Sequence, residues 1–150
     1  MAQTPVLLAN ATVIDGTGAA PELVVFLLEG QRFTGVGEEA RARAAAGAPV
    51  RELDLGGCTL MPGLIDSHCH ISFDEPSSND ELFFHRRYGL ATLVASVNAQ
   101  KVLRAGFTSF FDADCIFDVG VDLRDAIEGG VVPGPRMTTG GNVLIIRISG

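Results

Sequence analysis

His68 and His70 stand one residue apart at the end of a short apolar run, and two imidazoles at that spacing can grip one cation. Neutral imidazole is the commonest protein ligand for zinc and also binds other transition ions, so the pair points to a class of metal and not to one element. Alone, a His-x-His is equally compatible with two histidines on a solvated strand, and its flanks decide the reading. Pro62 and Gly63 break the preceding structure and start a fresh strand at Leu64 and Ile65, which read as buried. The histidines then fall at that strand's carboxyl end, where parallel α/β folds gather their catalytic groups. Side chains alternate along a strand, so Asp66, His68 and His70 are expected on one face, with Ser67 and Cys69 on the other and Cys69 turned toward packed helices.

The elements around the pair alternate in type. Tyr88 to Ala105 has the clearest helical period, with Leu90, Leu93, Val94 and Val97 as its apolar stripe, Lys101 and Arg104 in its last turns and Gly106 as its stop. Phe107 to Phe111 follows as a strand. Asp122 to Glu128 then reads as a short helix ended by Gly129-Gly130, and Arg136 to Thr139 begins a third strand. Strand, helix and strand in that order make the unit of a parallel sheet. Residues 4 to 62 differ: Val6-Leu7-Leu8, Ala11 to Ile14 and Val24 to Leu28 are β-rich, Glu29-Gly30-Gln31 is a hairpin turn before Phe33 to Gly37, Glu38 to Ala46 suits one or two helical turns, and Val50 to Leu55 alternates again before Gly56-Gly57.

Asp112 and Asp114 lie just past the second strand of the parallel set, on the rim that carries His70, where they could meet a metal-bound water or a substrate amine, or cap the turn. Asp66 sits two residues deeper than His68, a position from which a carboxylate can orient a ligand imidazole. His85 has no partner at metal-ligand spacing and reads as a surface or loop residue, as does the acidic stretch Asp74 to Glu81. Cys58, Cys69 and Cys115 are odd in number and irregular in spacing, which fits neither a disulfide framework nor a zinc knuckle, so they read as small buried residues.

Composition narrows the class. The 150 residues are 47% hydrophobic and 19% charged, enough apolar material for a core. A net charge of -7, with Lys101 the sole lysine, argues against nucleic acid or an anionic membrane surface as partner. The first residues lack a basic stretch, and no apolar run approaches the ~18 residues that span a bilayer, so the expected location is the cytoplasm.

Leu60-Met61-Pro62-Gly63-Leu64-Ile65-Asp66-Ser67-His68-Cys69-His70 resembles the first-strand signature of the metal-dependent amidohydrolase superfamily, Pro-Gly-Leu-Ile-Asp-x-His-x-His. Val13-Ile14-Asp15-Gly16-Thr17-Gly18, Ala105-Gly106-Phe107-Thr108-Ser109 and the stretch from Ile127 to Arg136 are similar to the branch with imidazolonepropionase-related enzymes and Xaa-Pro dipeptidase-like hydrolases. The fold this implies is α/β: the amino-terminal part of a (β/α)8 hydrolase barrel preceded by a small β-sandwich layer. Residues 1–62 would be the amino-terminal half of the composite sandwich, and residues 63–150 the first three β/α units of a TIM-type barrel. A closed barrel takes ~250 residues, so the barrel is expected to be incomplete in this chain.

The resemblance also implies a chemistry. His68 and His70 would be metal ligands for one or two divalent ions, zinc foremost; Asp66 and Asp112, by their strand positions and not by the resemblance, are the candidate supporting groups behind them. The family's remaining ligands and its general acid/base aspartate are expected beyond Gly150, so no catalytic residue is assigned here. The implied reaction is hydrolysis of carbon-nitrogen bonds in small molecules such as dipeptides or N-acyl amino acids, by metal-activated water. Two alternatives stand beside it: a non-catalytic fragment or pseudo-enzyme, and a cyclic amidase or deaminase of the same superfamily. The 150-residue chain by itself is expected to be inactive, and self-association into a homo-oligomer is in keeping with its unfinished sheet.

Overall fold

In the computed structural model, residues 3–47 and 49–142 are described. They fall into two compact units, divided between Pro62 and Gly63.

The first unit is one mixed sheet with a helix against it. Strands β1 (Val6–Val13), β2 (Glu22–Glu29) and β3 (Arg32–Val36) are joined antiparallel, while β4 (Arg51–Asp54) and β5 (Thr59–Leu60) run parallel to β1. Strand alternation puts Leu7, Val25 and Leu27 on one face, where helix α1 (Glu38–Ala46) covers them with Ala40. Val25 and Leu27 come from the continuous apolar run of β2, so this face is set by register and not by polar alternation. Cys58 is exposed here, contrary to the expectation that all three cysteines are buried.

The second unit carries the histidines. Its strands β6 (Leu64–Cys69), β7 (Phe107–Asp112) and β8 (Arg136–Thr139) form a parallel sheet in sequence order, joined by helices α2 (Tyr88–Arg104) and α3 (Val119–Glu128). β6 starts tight against β7: a Cβ at Gly63 would come within 2.7 Å of three Thr108 side-chain atoms, so only glycine fits there. Phe110, Met137, Ile71, Ile116, Val119 and Leu123 form the core between sheet and helices, with Cys69 packed against it as expected.

Two readings of burial are corrected. The sequence gives α2 an apolar stripe of Leu90, Leu93, Val94 and Val97, but the helix buries Ala91, Ala95 and Ala99 and leaves Leu90, Leu93 and Val97 exposed. Methyl side chains let the helix axis sit close to the sheet, which the longer residues would hold off. Leu64 and Ile65 form a strand but are not buried; Ile65 is 73% exposed. The reason is that the core lies on the helix side of the sheet, and on the opposite face Ile65, Phe111 and Arg136 meet solvent among the described residues. Parallel sheets ordinarily have both faces covered. The apolar stretch Val143 to Ile146 lies outside the described residues.

Candidate metal centre

The approach to the histidines is not a regular strand. Asp66 stands level with Phe110 and Cys69 with Asp112, so two residues of β6, Ser67 and His68, oppose the single residue Phe111. That is a β-bulge, a device that re-aims side chains at the end of a strand. Asp66 Oδ1 accepts the backbone N–H of His68 at 3.0 Å and so replaces the ladder bond the bulge removes. The expected common face for Asp66, His68 and His70 is therefore corrected. Asp66 shares the helix side with Phe110 and Cys69, while His68 turns away from it. Burial, followed by the charges of Asp66 and then Asp112, pushes the Cys69 thiol up from its ordinary value, which fits a cysteine that packs and does not react.

Past the bulge the two imidazoles converge. His68 Nε2 lies 3.2 Å from His70 Nε2, with the rings edge to face at 5.0 Å between centroids. On its far side, His70 Nδ1 lies 2.7 Å from Asp114 Oδ1, and one ring face is stacked on Phe73 at 4.8 Å and 5°. Phe73 is in turn held edge-on by Phe83. Two nitrogens bound to one tetrahedral zinc at ~2.0–2.1 Å sit about 3.3 Å apart, so the observed separation suits a shared ion. Among the described residues no group of three or more His, Cys, Asp and Glu side chains lies close enough to surround an ion, so the fit is to two ligands of a set.

The rim carboxylates divide their work. Asp112 is fully buried, its Oδ1 accepting the Ile71 N–H at 3.0 Å and its Oδ2 the Thr139 hydroxyl at 2.9 Å. It therefore ties the chain just after His70 to the end of β8 and does not touch either imidazole ring through these bonds. Burial raises its carboxyl above the ordinary value of 3.8, opposed by the two hydrogen bonds and then by His70. Helix α3 enters directly against it: a Cβ on Gly120 would stand 2.5 Å from both Asp112 Oδ2 and Thr139 Oγ1. Asp114, two residues on, is the carboxylate that meets an imidazole. The sequence places both aspartates on the rim but gives no sign of which one turns back to His70, because the strand ends at Asp112.

His85 lies exposed in a wide helical turn, Glu81–His85, and the loop before it is largely exposed. A groove of about 720 Å³ is lined by strand residues, among them Asp66, Phe110, Phe111 and Arg136, and by Arg124 and Ile127 of α3. Neither His68 nor His70 lines it, although Asp66 does.

No family model matches the chain. Among curated proteins it is 38% identical over 64 residues to an N-substituted formamide deformylase of Arthrobacter pascens, covering 43% of this chain and 11% of that one. It is 34% identical over 91 residues to an ochratoxinase of Aspergillus niger, covering 57% and 17%. To an N-acyl-D-aspartate deacylase of Alcaligenes xylosoxydans xylosoxydans it is 39% identical over 69 residues, covering 46% and 13%. Among solved structures, phenylurea hydrolase B superposes with a TM-score of 0.72 at 26% identity, over 94% of this chain and 31% of that one. A Xaa-Pro dipeptidase with bound methionine superposes at 0.78 and 22% identity, over 94% and 34%, a likeness of fold alone. These are amidohydrolase-superfamily proteins, and the chain resembles their amino-terminal portion in sequence and in its mixed α/β fold. It spans less than a fifth of the curated relatives' length and about a third of the structures'. By name, the deformylase and the deacylase remove formyl and acyl groups from nitrogen, so these two relatives act on carbon-nitrogen bonds.

Proposed function

We propose that this chain supplies the first two ligands of a metal-dependent hydrolase of carbon-nitrogen bonds in small molecules such as dipeptides or N-acyl amino acids. The observation that carries the reading is the convergence of His68 Nε2 and His70 Nε2 to 3.2 Å at the carboxyl end of a parallel strand. In this reading residues 63–150 are the first three β/α units of a barrel whose interior is the exposed face of Ile65 and Phe111, and residues 1–62 are part of a sandwich layer. His68 and His70 would hold a divalent ion, zinc foremost. A bound ion of this kind supplies Lewis acidity, polarising a carbonyl and lowering the pKa of water.

The chain's own residues prepare that position. The bulge sends His68 to the rim, Asp66 fixes the backbone that carries it, and Phe73 shields one face of His70 from water. Asp112 holds the turn after His70 in place through Ile71. The substrate amide would approach over the rim at the carboxyl ends of the strands, where the two imidazoles stand.

The test is hydrolysis by the full-length protein of N-formyl amines, N-acyl amino acids and dipeptides, with and without a chelator. Amine release that is chelator-sensitive and lost in the His68→Ala/His70→Ala double variant is the expected result. Turnover that survives both the chelator and the double substitution would contradict the reading.

A further inference from the structure

The imidazole of His70 has two nitrogens, and a neutral ring can offer a lone pair from only one of them at a time. Which one is free is decided by what the other meets. Nδ1 of His70 faces Asp114 Oδ1 at 2.7 Å, a distance and a charge suited to an N–H donor, with the Asp114 carbonyl oxygen also nearby at 3.4 Å. An ionised carboxylate accepts and cannot donate, so this contact requires the proton on Nδ1 and leaves the lone pair on Nε2. That lone pair points at His68 Nε2, 3.2 Å away. Phe73, stacked at 5° on the ring, stops rotation about the axis that the hydrogen bond leaves free. Asp66 and Asp112 do neither job: one binds the His68 backbone, the other the Ile71 backbone and Thr139.

We infer that Asp114 is the positioning residue that holds His70 in the Nδ1–H tautomer, with Nε2 free and aimed at the point where His68 Nε2 also aims. This rests on the reading of the two histidines as ligands of one ion, and it adds the group that sets the tautomer. With Nε2 of His70 as acceptor, the geometry makes His68 Nε2–H the donor, and the two Nε2 atoms are the ones that would hold an ion in place of that proton. The pairing of a ligand histidine with a carboxylate on its other nitrogen is the general way such rings are fixed, and loss of the partner typically weakens metal affinity by about 10- to 100-fold.

The experiment compares the wild type with Asp114→Ala and Asp114→Asn. Nitrogen chemical shifts of the His70 ring are measured in the metal-free protein, and zinc affinity by competition with a chelating dye. In the wild type, His70 Nδ1 should appear protonated and Nε2 unprotonated. Asp114→Ala should give a mixture of tautomers and lose affinity by about 10- to 100-fold, with the number of ions bound unchanged. Asp114→Asn can still accept from Nδ1 through its side-chain oxygen, so it should restore the single tautomer and most of the affinity. A wild-type His70 that carries its proton on Nε2, or an Asp114→Ala variant with unaltered shifts and affinity, overturns the inference. Failure of the wild type to bind zinc at all would instead overturn the reading of the histidine pair, while the tautomer measurement would still judge Asp114.

Discussion

A carboxylate with no exposed surface must find partners for both oxygens, and Asp112 finds them in the Ile71 N–H and the Thr139 hydroxyl. Those bonds do not fully offset burial, because its carboxyl still lies above the ordinary value. A folded state with a raised carboxyl pKa holds its proton more tightly than the unfolded chain. Its stabilising contribution is thus present below about 3.8 and is lost as pH rises toward the folded value. Asp112→Asn removes that titration, so the stability of wild type relative to the variant should fall as pH rises from about 3.8, read by urea unfolding of the metal-free protein at a series of pH values. Parallel pH profiles for the two proteins would show that Asp112 titrates as it does in the unfolded chain. At this scale the sequence reveals the residue types on the rim and little of their pairing. His68 and His70 stand out through their spacing together with the Pro62-Gly63 break and the strand that flank them, but Asp112 and Asp114 differ by one intervening residue, and it is the chain's exit from β7 that sends one inward and the other to His70.

Helix α2 shows what periodicity can and cannot say. Its start and stop are legible in Tyr88 to Gly106, yet its apolar residues wrap far enough round that two faces compete, and the alanine face wins because it permits close approach to the sheet. Ala95→Leu should therefore cost about 1–3 kcal/mol by overpacking. Leu93→Ser, on the 67% exposed side, should change stability by no more than about 0.5 kcal/mol. Denaturant midpoints of the two variants decide this; a larger loss for Leu93→Ser would return the leucine stripe to the core. The bulge in β6 is illegible for a related reason. Strict alternation is the default expectation, and the local feature that breaks it, a side-chain oxygen on the N–H two residues ahead, is available to any aspartate in a strand. Gly120→Ala at the entry of α3 should likewise destabilise the second unit, since its methyl would press on Asp112 and Thr139.

Across the molecule, each unit has a core of its own, and the parallel sheet keeps one face open among the described residues. Ile65 and Phe111 on that face should drive self-association of the 150-residue chain, and Ile65→Ser/Phe111→Ser should reduce it without loss of helical signal, as read by sedimentation and circular dichroism. An association state indifferent to these substitutions would place the contact elsewhere. The order of strands and helices was readable from the sequence because β/α units alternate in composition; which faces meet solvent was not, since that depends on what covers them. The central claim, that His68 and His70 grip one divalent ion, is tested most directly by the metal content of the full-length protein after dialysis against zinc, measured by inductively coupled plasma analysis. Removing both imidazoles forfeits several kcal/mol of binding, so His68→Ala/His70→Ala should lose the metal while Cys69→Ser, altered on the opposite side of β6, retains it. Undiminished zinc in the double variant would contradict the assignment of the pair.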